Sequence, residues 1–283
     1  MKKTLYSLSL FVLLLALAAC GTANNEDNTT TGDAGGEAET VKLVVGASNV
    51  PHAEILEEAI PLLAEKGIEL EIVPFQDYIL PNKALADKEI DANYFQHIPY
   101  LEAQIADNGY DFVNAGGIHI EPIGVYSKKY KSLDELPEGA LIIMSNSVAD
   151  HGRILTMLQT EGLITLKEGI DTTTATIDDI VDNPKNLEFK ADVDAGYLPQ
   201  VYNNDEGDAV LINTNYAIDA GLNPKEDSIA LEGSESPYVN IITVRTGDEN
   251  RSEIQTLVEV LRSEQIQNFI LEKYEGAVVP VSE

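Results

Sequence analysis

The sequence predicts an α/β protein built as two lobes that face each other across a cleft, and three observations lead there. From Val41 onward, short runs rich in β-branched residues alternate with longer segments of helical apolar spacing, the pattern of βα units around largely parallel sheets. The same alternation starts afresh after an extended stretch near residue 121. A strand over 238–245 and a helical run over 252–274 then carry the chain back to the first series, and a chain that crosses twice leaves two lobes with a hinge between them.

Ahead of the folded body, Lys2 and Lys3 precede an apolar stretch over 8–19 that ends at the only cysteine, Cys20. Spanning a bilayer takes about 20 apolar residues, so the stretch reads as a secretory leader over 1–19 and not as a membrane helix. The tetrad Leu17-Ala18-Ala19-Cys20 resembles the lipobox of bacterial lipoproteins, in which the cysteine thiol receives a diacylglyceryl group. Lipidation accounts for a single cysteine in an exported chain, which is otherwise anomalous; an ordinary leader followed by a chance cysteine is the alternative. Residues 21–40 contain no large apolar side chain and cannot offset their ordering entropy. With Cys20 they form an expected disordered tether over 20–40. Its mean reach is about 25 Å for a Gly-rich coil.

The elements follow in order. A strand over 41–46 leads into a helix over 54–66, whose Ile55, Leu56, Ala59, Leu62 and Leu63 make an apolar stripe despite Pro61. Gly67 stops it, and 68–75 alternates as a second strand. A short helix to Glu89, a strand over 91–95 and a helix over 99–108 complete the first half. Residues 121–127 read as the crossing, and the turn over 132–137 opens the second half. That half has strands over 140–144, 187–191 and 209–212, with helices over 150–162 and 194–202. The lobes are therefore expected over 41–124 with 239–283, and over 125–238.

Lysine and arginine number 18 against 48 aspartates and glutamates, a net charge of −30, which phosphate backbones would repel; no nucleic-acid partner is expected. The histidines His52, His97, His119 and His151 lack metal-motif spacing, and no nucleophile elbow, CxxC or phosphate-cradling loop occurs. No metal, no cofactor and no enzymatic activity are expected.

Phe75, Tyr78, Tyr94, Phe95, His97 and Tyr100 concentrate aromatic groups near the ends of two strands, where open α/β sheets bind ligands. Core packing is the competing account. Tyr94 and Phe95 are adjacent, so on a regular strand at most one of them lines a pocket. Arg153 falls in the early turns of a helix, in a chain poor in basic residues, where a guanidinium can grip a carboxylate; a surface ion pair is the alternative. Asn213 follows a strand and Asn240 sits inside one, an unfavourable place for an amide unless a hydrogen bond compensates.

Leu80-Pro81-Asn82, the run Asp91-Ala92-Asn93-Tyr94-Phe95-Gln96-His97, Gly152-Arg153 and Ser236-Pro237-Tyr238-Val239-Asn240-Ile241-Ile242 resemble the NlpA/MetQ family of methionine-binding lipoproteins, in order and through nearly all of the folded body. The resemblance implies a two-lobed, type II periplasmic-binding-protein-like fold. It implies capture of methionine, as the L form, the D form or a methionyl dipeptide, for an importer made of a permease and its ATPase. It implies a monomer, lipid-anchored on the extracytoplasmic face of the cell membrane. By the same resemblance Arg153 holds the ligand carboxylate, Asn213 and Asn240 its head group, and Phe75, Tyr78, Tyr94 and His97 the thioether side. Where the family commonly shows an Asn two residues before Gly-Arg, this chain has Asp150, which adds a negative charge beside the expected carboxylate site and puts the ligand's identity in question. A metal-ion receptor of similar fold and a surface adhesion protein are the other readings. Replacing Cys20 by Ser is expected to release the chain into the soluble fraction or leave its leader uncleaved, as fractionation and mass measurement would show; a fully processed, membrane-bound variant refutes the lipobox.

Overall fold

A computed structural model of the chain describes residues 40–233 and 235–281; the expected leader, Cys20 and the tether up to residue 39 lie outside the described residues. Along the chain come β1 (Val41–Ser48), α1 (Glu54–Glu65), β2 (Ile68–Phe75), α2 (Leu80–Ala86), β3 (Ala92–His97), α3 (Ile98–Asn108) and β4 (Phe112–Ile120). A second series holds β5 (Gly124–Tyr126), β6 (Leu141–Ser145), α4 (Val148–Thr160), β7 (Thr165–Leu166), β8 (Ile180–Asp182), β9 (Glu188–Val193), α5 (Leu198–Asn203), β10 (Ala209–Ile212), α6 (Thr214–Asp219), α7 (Pro224–Asp227) and β11 (Ala230–Leu231). The chain then returns as β12 (Val239–Arg245), α8 (Ser252–Leu261), α9 (Glu264–Tyr274) and β13 (Val279–Pro280).

Two main sheets result among the described residues, ordered β13-β4-β12-β3-β1-β2 and β11-β5-β10-β6-β9. Strand β1 runs parallel to β2 and β3, and β6 parallel to β9 and β10, as βα alternation requires. The returning strand β12 enters the first sheet antiparallel, between β3 and β4. It thereby ties the chain's last segment into the lobe built by its first, and makes that sheet mixed instead of largely parallel.

Helix α1 forms because Ile55, Leu56, Ala59 and Leu63 repeat on one face, and all four are buried against β1 and the C-terminal helices. Burying each large side chain stabilises by roughly 1.5–3 kcal/mol. Pro61 is tolerated because it lies on the exposed face, where the carbonyl it leaves unpaired can meet water. Helix α4 buries Ile154, Leu155 and Leu158 against Ile142 and Met144 of β6.

Two elements differ from expectation. Strand β4 was not expected, because Asn114-Ala115-Gly116-Gly117 is a poor strand sequence. Its glycine has a packing reason: a Cβ on Gly116 would lie 2.6 Å from Val258 Cγ1, so only glycine lets α8 approach the sheet. The helical run over 252–274 is two helices, because Ser263 adopts extended backbone and serves as the N-cap residue of α9.

Gly152 lets α4 press against the backbone at 172–173. A Cβ there would stand 2.1 Å from the Thr172 carbonyl oxygen and 2.9 Å from Thr173 C, which are backbone atoms that cannot turn aside. Gly152→Ala is expected to destabilise the chain by about 1–3 kcal/mol, the usual cost of overpacking, as read from its urea unfolding midpoint. An unchanged midpoint would mean that the neighbouring loop retreats freely.

Candidate ligand-binding site

The carboxyl ends of β3, β6 and β10 converge on a narrow cavity. Phe95, Gln96 and His97 reach it from the end of β3, Tyr78 from the segment after β2, Tyr100 from α3 and Glu121 from the crossing. Asp150 and Arg153 come from α4, Asn213 and Asn215 from the start of α6, and Asn240 from β12. Five of the seven residues that the resemblance assigns to the ligand meet here: Tyr78, His97, Arg153, Asn213 and Asn240.

Phe75 and Tyr94 lie elsewhere. Phe75 packs with Ile90 and Leu85, its ring edge filling the space beside Gly46. Tyr94 is fully buried among α1 and α8 residues, its hydroxyl bonded to His119 Nδ1. Its neighbour Phe95 takes the wall position instead. A β-bulge is the reason: His97 pairs with Asn240 and Gln96 with Ile241, but Tyr94 pairs with Ile242, leaving Phe95 as the extra residue. A bulge bends the strand and re-aims side chains, and here three consecutive residues line the cavity, with the Gln96 amide itself bonded to Asn82, Asn93 and Thr243. The rings of Tyr78, Phe95 and Tyr100 stand 6.0–6.1 Å apart, centroid to centroid, as one aromatic wall.

The polar side centres on Asp150. Its Oδ1 lies 3.1 Å from His97 Nε2 and 3.1 Å from Arg153 Nε, and its Oδ2 accepts from Asn213 Nδ2 at 3.3 Å. Because His97 Nδ1 accepts the Tyr100 N–H at 3.1 Å, Nε2 carries the proton directed at Asp150. Burial pushes the Asp150 carboxyl up, but the Arg153 guanidinium, with His97 and Asn213, outweighs it and holds the group well below the usual carboxylate range. Arg153 is itself buried, with Nη1 bonded to the Glu121 carbonyl at 3.3 Å and 3.5 Å from Glu232 Oε2, and its guanidinium 5.0 Å from the Tyr238 ring centroid. The acid expected beside the carboxylate site thus stands among three of the residues proposed for the ligand.

Two buried atoms of this cluster have no hydrogen-bond partner among the described residues: the donor Arg153 Nε, whose approach to Asp150 lacks hydrogen-bond geometry, and the acceptor Asn213 Oδ1. Unpaired buried polar atoms are rare in native structures, and a donor and an acceptor together in one cavity suit a ligand bearing groups of both kinds.

Behind Glu121 lies a network the sequence did not disclose. Glu121 Oε1 accepts from His119 Nε2 at 2.7 Å and stands 3.2 Å from His52 Nε2, and Oε2 accepts from the Asn215 backbone N–H at 3.1 Å. His52 Nε2 also lies 3.0 Å from Asn240 Oδ1. Two imidazoles and a carboxylate with facing atoms within 4.8 Å form a donor set that zinc accepts. Here each facing atom is already hydrogen-bonded to another, so the group holds together without a cation.

The model of the NlpA lipoprotein family matches residues 43–282. The chain belongs to that family. The methionine-binding lipoprotein MetQ of Bacillus subtilis strain 168 is 52% identical, over 100% of both chains. The D-methionine-binding lipoprotein MetQ of Salmonella typhi is 37% identical, over 98% of this chain and 97% of its own. The structure of a nutrient-binding protein from Burkholderia cenocepacia bound to methionine superposes with a TM-score of 0.79 at 41% identity, covering 84% of this chain and 99% of that one. The fold is the two-lobed periplasmic-binding-protein fold of these relatives, and the family is one of substrate-binding lipoproteins, not enzymes. Among the described residues no helix is long and apolar enough to cross a membrane.

Within this NlpA-family site, burial holds the histidines neutral: it pushes His52 down to about 4, against the pull of Glu121, and His119 down to about 3. Burial raises the Glu121 carboxyl, with His52 and Arg153 opposing. A histidine whose folded pKa lies below its ordinary value contributes stability that is complete above about pH 6.5 and is lost as the pH falls toward the folded value. Glu121 runs the other way, so the informative quantity is a difference between variants. Between about pH 4 and 6.5 the unfolding free energy of His52→Gln is expected to change less steeply with pH than that of the wild type, by nearly one proton, on the order of 1 kcal/mol per pH unit. Urea titrations across that range give both slopes, and equal slopes contradict a neutral His52.

Proposed function

We propose that this chain captures methionine, chiefly the L form, and delivers it to the permease and ATPase of an importer. The observation that carries the reading is the pairing, in one cavity, of an unpartnered donor (Arg153 Nε) and an unpartnered acceptor (Asn213 Oδ1) with the aromatic wall of Tyr78, Phe95 and Tyr100. An amino acid's charged head group suits the first, and a polarizable thioether suits the second, gaining about 0.3–1.5 kcal/mol per aromatic contact. The methionine-binding relatives support the same ligand. Arg153 takes the carboxylate; Asn213 and Asn240 take the rest of the head group. The lobes over 41–124 with 239–283 and over 125–238 close on the ligand by a hinge. Lipid on Cys20 keeps the chain at the outer face of the membrane, beside the permease.

Calorimetry of the full-length chain in detergent with L-methionine, D-methionine, glycyl-methionine and zinc is the test. Binding of L-methionine is expected, with Arg153→Ala weakening it by about 100-fold or more. Arg153→Ala also strands a buried carboxylate and is expected to lose about 3–5 kcal/mol of stability. The double variant Asp150→Asn, Arg153→Met removes both charges, so it should recover much of that stability without recovering binding. No heat with any methionine compound, together with tight zinc uptake, would overturn the reading in favour of a metal receptor.

A further inference from the structure

Charge is unevenly matched around the cavity. Asp150 is answered by Arg153 and His97, and Glu232 by Arg153. Glu121 lines the same cavity and is 5% exposed, yet the groups that bond its carboxylate are the neutral His119 imidazole and one backbone N–H, with the neutral His52 ring 3.2 Å away. Among the described residues no lysine or arginine forms an ion pair with that carboxylate. A buried carboxylate without a cation is costly. Two donors, His119 Nε2 and the Asn215 backbone N–H, nevertheless fix its position, and Tyr94 in turn fixes His119 from behind. This is the construction of a site that holds a negative charge in place for an incoming positive one.

We propose that Glu121 is the counter-charge for the ligand's ammonium group, with His52 and His119 as positioning residues. The assignment rests on the amino-acid reading of the cavity and sharpens it. It gives the ammonium a full carboxylate in addition to the amide oxygens of Asn213 and Asn240. His52 links the two acceptors, since its Nε2 faces both Glu121 Oε1 and Asn240 Oδ1, so the ring sets the spacing between them. The proposal also answers the negative charge that Asp150 introduces: Arg153 is already engaged by acids, and what the cavity lacks is a cation.

The test compares L-methionine with its 2-hydroxy analogue, which keeps the carboxylate and thioether but replaces the ammonium with a hydroxyl. In calorimetry on the full-length chain, wild type is expected to prefer methionine by about 100-fold or more. In Glu121→Gln that preference should shrink to under about 10-fold, because methionine loses affinity while the hydroxy acid does not. His52→Gln leaves the charge but removes one of its holders, and should reduce the preference several-fold; should Glu121→Gln not fold, this variant and the wild-type preference decide the matter. Equal losses for both ligands, or a wild-type preference under about 10-fold, overturn the role of Glu121 alone. A wild-type chain that binds neither compound overturns the methionine reading as well.

Discussion

The ion pair of Asp150 and Arg153, one helical turn apart and buried together, is the constraint around which the site is arranged. Neither charge is tolerable there alone. Each is surrounded by groups that share its burden: His97 and Asn213 on the carboxylate, the Glu121 carbonyl, Glu232 and the Tyr238 ring on the guanidinium. These partners come from β3, the crossing, the start of α6 and the segment before β12, so satisfying one pair of charges draws every wall of the cavity together. Gly152, between the two charged residues, lets the backbone carrying them press against the loop at 172–173. A single missing Cβ thus positions both members of the pair.

Legibility in the sequence followed locality. The stripe of Ile55, Leu56, Ala59 and Leu63 declares α1, and the alternation after Gly67 declares β2, because each pattern reflects a face its own neighbours define. Strand β4 hides, since the residues that make it a strand are its partners β12 and β13 and the reason for Gly116 is Val258, more than a hundred residues away. The site shows the same division. Arg153 and Asn240 stand out as residues ill-suited to their local surroundings. The bulge that exchanges Tyr94 for Phe95 on the cavity wall arises from register with β12, and nothing in the run from Asp91 to His97 encodes it.

Glu121 shows why chemistry can be read from a sequence only when its groups are close together. His119 and Glu121 are two apart and share a face, which alone is an incomplete arrangement. His52, which completes it, lies 67 residues before His119 on a different element. Parallel pairing of β1 with β3, and antiparallel pairing of β12 with both β3 and β4, brings these segments to one end of one sheet. Contacts from Tyr78 to Asn215 at 2.6 Å and from Tyr216 to the Gln76 carbonyl at 3.3 Å then join that sheet's loops to α6.

The placement of Asp150 changes what Arg153 can contribute. A guanidinium waiting alone would give a ligand carboxylate the whole of a buried ion pair. This one already has an acid at 3.1 Å, so an arriving carboxylate gains only the difference between two pairings. Under the proposed function release matters as much as capture, and Asp150 stays beside Arg153 to hold the guanidinium once a ligand has left.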